Sequence, residues 1–199
     1  METTKVQQKT PPDRVGLWTV ANQITFFRIL LTIPFLLLVS RGRFGLALVV
    51  FFVASVTDFF DGYFARRLGQ STRLGRFLDP AADKLLTTSS FVVLAFPHGA
   101  FAPMPVWLVV LVVGRDLVIV LGACIVYLLT GFSSFKPNLA GKINTALELA
   151  LVVAFLVLNS AGFGTEILPS LYWLVALSVA TSGVTYLVEG VRMLIRRAP

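Results

Sequence analysis

Six apolar runs divide this chain, most of them long enough to cross a bilayer as a helix, and the breaks between them carry turn residues. A helical span needs about 20 apolar residues, because lipid offers no partner to a backbone N–H or C=O. The runs predict helices near 24–40, 44–67, 75–96, 104–130, 139–161 and 168–193. The breaks fall at Arg41-Gly42-Arg43, Gly69-Gln70-Ser71, Pro97-His98-Gly99, Phe132-Ser133-Ser134 and Gly162-Phe163-Gly164. The expected fold class is all-α, an integral membrane bundle of six transmembrane helices. Residues 1–13 are polar and read as a flexible cytoplasmic tail. Residues 14–23 set Leu17, Trp18 and Val20 among polar positions, which predicts a short N-terminal interfacial helix with Trp18 at headgroup level. One membrane domain, 14–199, follows the tail.

Only 14% of the residues are charged and 56% are hydrophobic, against about a quarter charged in a soluble domain. The net charge of +7 does not point to nucleic acid, because no basic stripe with interleaved aromatics stands outside the apolar runs. The basic residues gather at the ends of those runs. Lys5, Lys9, Arg14, Arg66, Arg67, Arg73, Arg76, Lys136, Arg192, Arg196 and Arg197 fall on one side, and only Arg41 and Arg43 fall between helices on the other. The positive-inside rule then predicts both termini in the cytoplasm. A bacterial inner membrane is the expected location, since residues 1–13 do not resemble a transit peptide and the first apolar run lacks a cleavage site. The single cysteine, Cys124, permits no intrachain disulfide.

The chemistry concentrates in one stretch. Asp58 and Asp61 stand three apart near the end of the second run, and Asp79 and Asp83 stand four apart at the start of the third. On helices each pair shares a face, with Cβ atoms about 5–6 Å apart. A short loop joins the two helices, so all four carboxylates can meet at one level near the cytoplasmic end. A carboxylate in a membrane helix costs about 2.5–3.5 kcal/mol, and four together repel. Hard divalent cations suit such an all-oxygen set, and two of them can stabilise both oxygens of a phosphoryl transfer. Gly62 and Ala65 leave a groove beside the acids for a flat or extended ligand, and Gly75 does the same on the third helix. Arg66 is placed to pair with a phosphate.

This pattern, D-x2-D-G-x2-A-R-x8-G-x3-D-x3-D, resembles the signature of the CDP-alcohol phosphotransferase family, with every fixed position filled. The resemblance implies an enzyme of six helices whose active site faces the cytoplasm. It implies that Asp58, Asp61, Asp79 and Asp83 ligate two divalent ions, usually Mg2+ or Mn2+. Asp58, Gly62, Ala65, Arg66 and Gly75 would hold the CDP moiety, with Arg66 on the diphosphate. Asp83 would take the proton from the acceptor hydroxyl, which attacks the β-phosphorus and releases CMP. A homodimer is also implied.

Residues 19–28 resemble the family's usual Pro-Asn-x-Leu-Thr-x-x-Arg segment, with Ala21 in place of proline and Ile24 in place of leucine. Arg28 then faces either the active-site cavity or a headgroup. Arg115 and Asp116 lie within the fourth run, where charged residues face the bundle interior. Arg115 and Lys142 read either as partners of an anionic acceptor or as members of structural ion pairs. Glu148 and Glu189 read as structural, and His98 lies far from the aspartates.

Residues 78–85, Leu-Asp-Pro-Ala-Ala-Asp-Lys-Leu, look like the branch that acts on glycerol phosphate or phosphatidylglycerol. The expected reaction transfers the phosphatidyl group of CDP-diacylglycerol to glycerol 3-phosphate, giving phosphatidylglycerophosphate. The alternative is a cardiolipin synthase with phosphatidylglycerol as acceptor, because Lys136-Pro137-Asn138 and Gly141-Lys142-Ile143-Asn144-Thr145 resemble a segment of those enzymes. A divalent-cation transporter is a remote alternative. It predicts acids spaced along a path across the bilayer, whereas these bunch at one level.

Overall fold

A computed structural model describes residues 20–68, 75–97, 102–130 and 139–195. All six elements are α-helices: α1 (Val20–Ser40), α2 (Phe44–Leu68), α3 (Gly75–Leu94), α4 (Val106–Thr130), α5 (Leu139–Ala161) and α6 (Leu168–Ile195). No strand occurs among the described residues. Predicted and observed limits agree closely, and the departures have local causes. Residues 20–23 belong to α1 rather than to a separate interfacial helix. They contain neither Pro nor Gly to stop the run. Residues 14–19 lie outside the described residues. α3 stops at Leu94, where Ala95 and Phe96 donate to the carbonyls three residues back and Pro97 follows. α4 starts at Val106, once Pro105 has supplied a carbonyl to the N–H of Leu108 at 3.0 Å.

Two ends are closed the same way. Gly42 and Gly162 both have φ of +66°, the left-handed conformation that a side chain disfavours. At the first, Arg43 N–H donates to Leu38 O at 2.9 Å and Gly42 N–H to Val39 O at 2.8 Å. At the second, Phe163 N–H donates to Leu158 O at 3.1 Å. These bonds satisfy carbonyls that the helix ends would otherwise leave orphaned.

α1 packs along both α2 and α3, α6 lies between α4 and α5, and α2 meets α5 across the middle. The contacts fix directions. Phe44, at the start of α2, packs edge-on against Phe155 near the end of α5, so these two run antiparallel. Trp107 and Trp173, near the starts of α4 and α6, lie with ring centroids 5.1 Å apart, so those two run parallel. The starts of α3 and α5 and the end of α2 therefore share one end of the bundle.

Inward positions follow helical spacing. On α1 they are Arg28, Thr32, Phe35 and Val39, and on α2 Phe44, Ala47, Phe51 and Ala54. On α5 they run from Gly141 through Asn144 and Glu148 to Phe155 and Asn159. The opposite faces expose Phe26, Ile33, Val49, Phe52, Val110 and Leu177, more apolar surface than water would tolerate in one patch. Among the described residues, Leu139–Ala161 and Leu168–Arg192 are long and apolar enough to cross a bilayer.

Candidate active site

The two acidic pairs extend the buried faces of their helices. On α2 the buried positions 44, 47, 51 and 54 alternate steps of three and four. The next steps are 58, 61 and 65, which are Asp58, Asp61 and Ala65, on a helix unbroken to Leu68. On α3 the buried positions Leu94, Phe91, Ser90, Thr87 and Leu86 continue downward in the same steps to Asp83 and Asp79, within the first turns of the helix. By helical spacing, the positions of both pairs continue the steps of the buried ones, at the end of α2 and the start of α3. The side chains of Asp58, Asp61, Gly62, Ala65, Arg66, Gly75, Asp79 and Asp83 lie outside the described residues, as does His98.

One turn further in, a charged network crosses the bundle. Lys84, beside Asp83 in sequence, donates from Nζ to Asp116 Oδ1 at 2.8 Å. Arg115 donates from NH1 to the same oxygen at 2.8 Å. Its NH2 donates to Ser182 Oγ on α6, and its guanidinium lies 5.5 Å from the centre of the Tyr186 ring, a cation–π distance. On α5, Asn144 Nδ2 donates to Glu148 Oε1 at 2.6 Å. Glu148 lies within electrostatic reach of Lys84, Asp116 and Arg115.

The remaining expected residues are placed as follows. Arg28 is buried to 1% exposure on α1, and Thr32 donates to its backbone carbonyl at 2.9 Å. Lys142 is exposed, one residue beyond the buried Gly141 on α5. Glu189 is half-buried on α6. Arg115 is joined to Asp116 and Ser182, and Glu148 to Asn144. Sequence reasoning missed Ser182, Tyr186 and Asn144. Asn144 carried a signal, since it stands four residues before Glu148 on one helix. Nothing in the chain order links Arg115 to Ser182. Among the described residues no group of three metal-ligating side chains forms.

Comparison with known proteins gives consistent results. Residues 18–187 match a family model described as CDP-alcohol phosphatidyltransferase. A Bacillus subtilis protein named CDP-diacylglycerol–glycerol-3-phosphate 3-phosphatidyltransferase is 31% identical, over 72% of this chain and 79% of its own length. An Aquifex aeolicus protein of the same name is 28% identical, over 89% of this chain and 98% of its own. A human protein named cardiolipin synthase (CMP-forming) is 30% identical, over 89% of this chain and 63% of its own length.

Proposed function

The chain belongs to the CDP-alcohol phosphatidyltransferase family, and we propose that it transfers the phosphatidyl group of CDP-diacylglycerol to glycerol 3-phosphate, releasing CMP. The observation that carries this reading is the family match, which spans the D-x2-D-G-x2-A-R-x8-G-x3-D-x3-D stretch on α2 and α3. The names of the Bacillus and Aquifex relatives support glycerol 3-phosphate as acceptor.

Asp58, Asp61, Asp79 and Asp83 are four carboxylates on two helix ends, all in phase with the bundle interior. That is the hard, all-oxygen donor set that Mg2+ or Mn2+ takes. Two such ions, when bound, would supply charge neutralisation at the diphosphate. The chain's own residues do the rest. Gly62, Ala65 and Gly75 leave room for the CDP moiety beside Asp58. Arg66 pairs with the diphosphate, where a guanidinium can donate two parallel hydrogen bonds. Asp83 accepts the proton of the acceptor hydroxyl as its oxygen attacks the β-phosphorus, and the P–O bond to CMP breaks. Arg28, Arg115 and Lys142 form the cationic side of the acceptor site.

The same reading makes all six helices membrane spans, with both termini and the acidic end in the cytoplasm of a bacterial inner membrane. Exposed apolar faces on α1, α2, α4 and α6 support it, as does the Trp107–Trp173 pair at the far end, since tryptophan favours the headgroup level. The protein is expected to work as a homodimer. A second reading, cardiolipin synthesis, is favoured by the human relative and by the segment from Lys136 to Thr145. Purified protein in detergent, given CDP-diacylglycerol and magnesium, separates the two. Product with glycerol 3-phosphate alone supports the first reading, and product with phosphatidylglycerol alone replaces it with the second.

A further inference from the structure

Three acceptor oxygens in the middle of the bundle have no donor among the described residues. Glu148 is fully buried on α5, and its Oε1 accepts from Asn144 at 2.6 Å. Its Oε2, the Oδ1 of Asn144 and the Oδ2 of Asp116 are buried without a hydrogen-bond partner among the described residues. The cations nearby are already engaged, since Lys84 and Arg115 both donate to Asp116 Oδ1. Against three unmatched acceptors stands one unmatched donor of this network, Arg115 Nε. Buried polar atoms are costly to leave unpaired and are seldom found so. The surplus selects for a donor. Beside the free oxygen of Glu148 a phosphate would be repelled, whereas a hydroxyl fits, and the acceptor's phosphate is left to the cationic side.

The depth is right for the reaction. Asp83 is the ninth residue of α3 and Glu148 the tenth of α5, and both helices start at the acidic end of the bundle. α3 and α5 are in contact, and Lys84, the neighbour of Asp83, acts electrostatically on Glu148. We infer that Glu148, held by Asn144, accepts a hydrogen bond from the non-reacting hydroxyl of the acceptor and so selects alcohols that carry a second hydroxyl beside the attacking one. This rests on the proposal that glycerol 3-phosphate is the acceptor, and it gives Glu148 a role in specificity rather than in bond making.

The test compares two acceptors. Glycerol 3-phosphate and 3-hydroxypropyl phosphate share the reacting hydroxyl and the phosphate, and only the first has the middle hydroxyl. With CDP-diacylglycerol and magnesium, the wild type is expected to prefer glycerol 3-phosphate by roughly 10- to 100-fold in kcat/KM, the range for a hydrogen bond to a charged group. In Glu148→Gln the preference is expected to fall several-fold, through KM for glycerol 3-phosphate, while the constants for 3-hydroxypropyl phosphate hardly move. Equal losses on both acceptors mean a structural role only and overturn the inference. A wild type that uses both acceptors equally well overturns it without any variant. A wild type that uses neither overturns the acceptor reading, and this inference with it. Glu148→Asp keeps the charge and withdraws the oxygens by one methylene, so it serves if the glutamine variant does not accumulate. It too must lower the preference, and an unchanged preference overturns the inference.

Discussion

The bundle carries two charged regions built on opposite plans. The acidic end is written in one stretch from Asp58 to Asp83, with each pair a helical turn apart on its own helix. The network one turn further in is assembled from Lys84, Arg115, Asp116, Asn144, Glu148 and Ser182 on four helices. The first needs only helix geometry and a short link to come together. The cross-helix bonds of the second, Lys84 to Asp116 and Arg115 to Ser182, exist only once α3, α4 and α6 have packed. On the proposed reading, the four carboxylates of the first take metal cations from outside, although Arg66, Arg67, Arg73 and Arg76 stand in the same stretch. The second brings its own, since Lys84 and Arg115 meet on Asp116. On the proposed reading the first awaits a ligand on every carboxylate, whereas the ion pairs of the second tie helices together and leave Glu148 to meet the acceptor.

That contrast predicts different losses. Asp83→Asn, or chelation of divalent metal with EDTA, is expected to lower CMP release by at least about 1000-fold, a barrier increase of about 4 kcal/mol, with little change in unfolding temperature in detergent. Retention of a tenth of the activity would place the base elsewhere. Asp116→Ala is expected to do the reverse to stability. It removes the shared acceptor of Lys84 and Arg115, whose side chains are 36% and 7% exposed, and in this partly buried setting, with Ser182 still bonded to Arg115, the loss is about 1–3 kcal/mol. A reversible unfolding measurement that finds no loss would break the contrast. Gly42→Ala tests the far end, where a left-handed φ should cost an L-residue about 1–2 kcal/mol. Phe155→Leu removes the edge-on contact with Phe44 and is expected to cost about 1 kcal/mol. Both should leave the KM for CDP-diacylglycerol unchanged, and a shift there would join the two ends of the bundle.

The helix limits were legible because the apolar runs end at glycine, proline and arginine, and five of the six helices begin within two residues of their expected starts. α1 was the exception. Its first turn, Val20-Ala21-Asn22-Gln23, mixes polar and apolar residues as an interfacial helix does, but nothing in it interrupts the backbone. That each aspartate pair shares a helical face was legible because steps of three and four residues identify one face before any packing is known. The phase of that face with the interior was not, since it depends on which of α2's apolar residues are buried, and Phe51 and Phe52 look alike in sequence though one is buried and the other exposed. The partners of Arg115 were likewise hidden. Asp116 follows it directly and neighbours in a helix point apart, yet the long guanidinium stem reaches back to it and also across to Ser182.

The turn at residues 41–43 has a consequence for the chemistry at the other end of α2. It closes α1 with a fixed pattern of bonds and starts α2 at Phe44. Each residue of an α-helix advances the azimuth by about 100°. One residue inserted within α2 just after Phe44 would turn Phe51, Ala54 and the positions of Asp58 and Asp61 by about 100° against the packed start of the helix. Asp58 stands about 20 Å along the axis from Phe44. The packed Phe44 that follows the glycine turn is thus the angular zero from which the bearing of the acids is counted, and a length change within α2 is a mutation of the site.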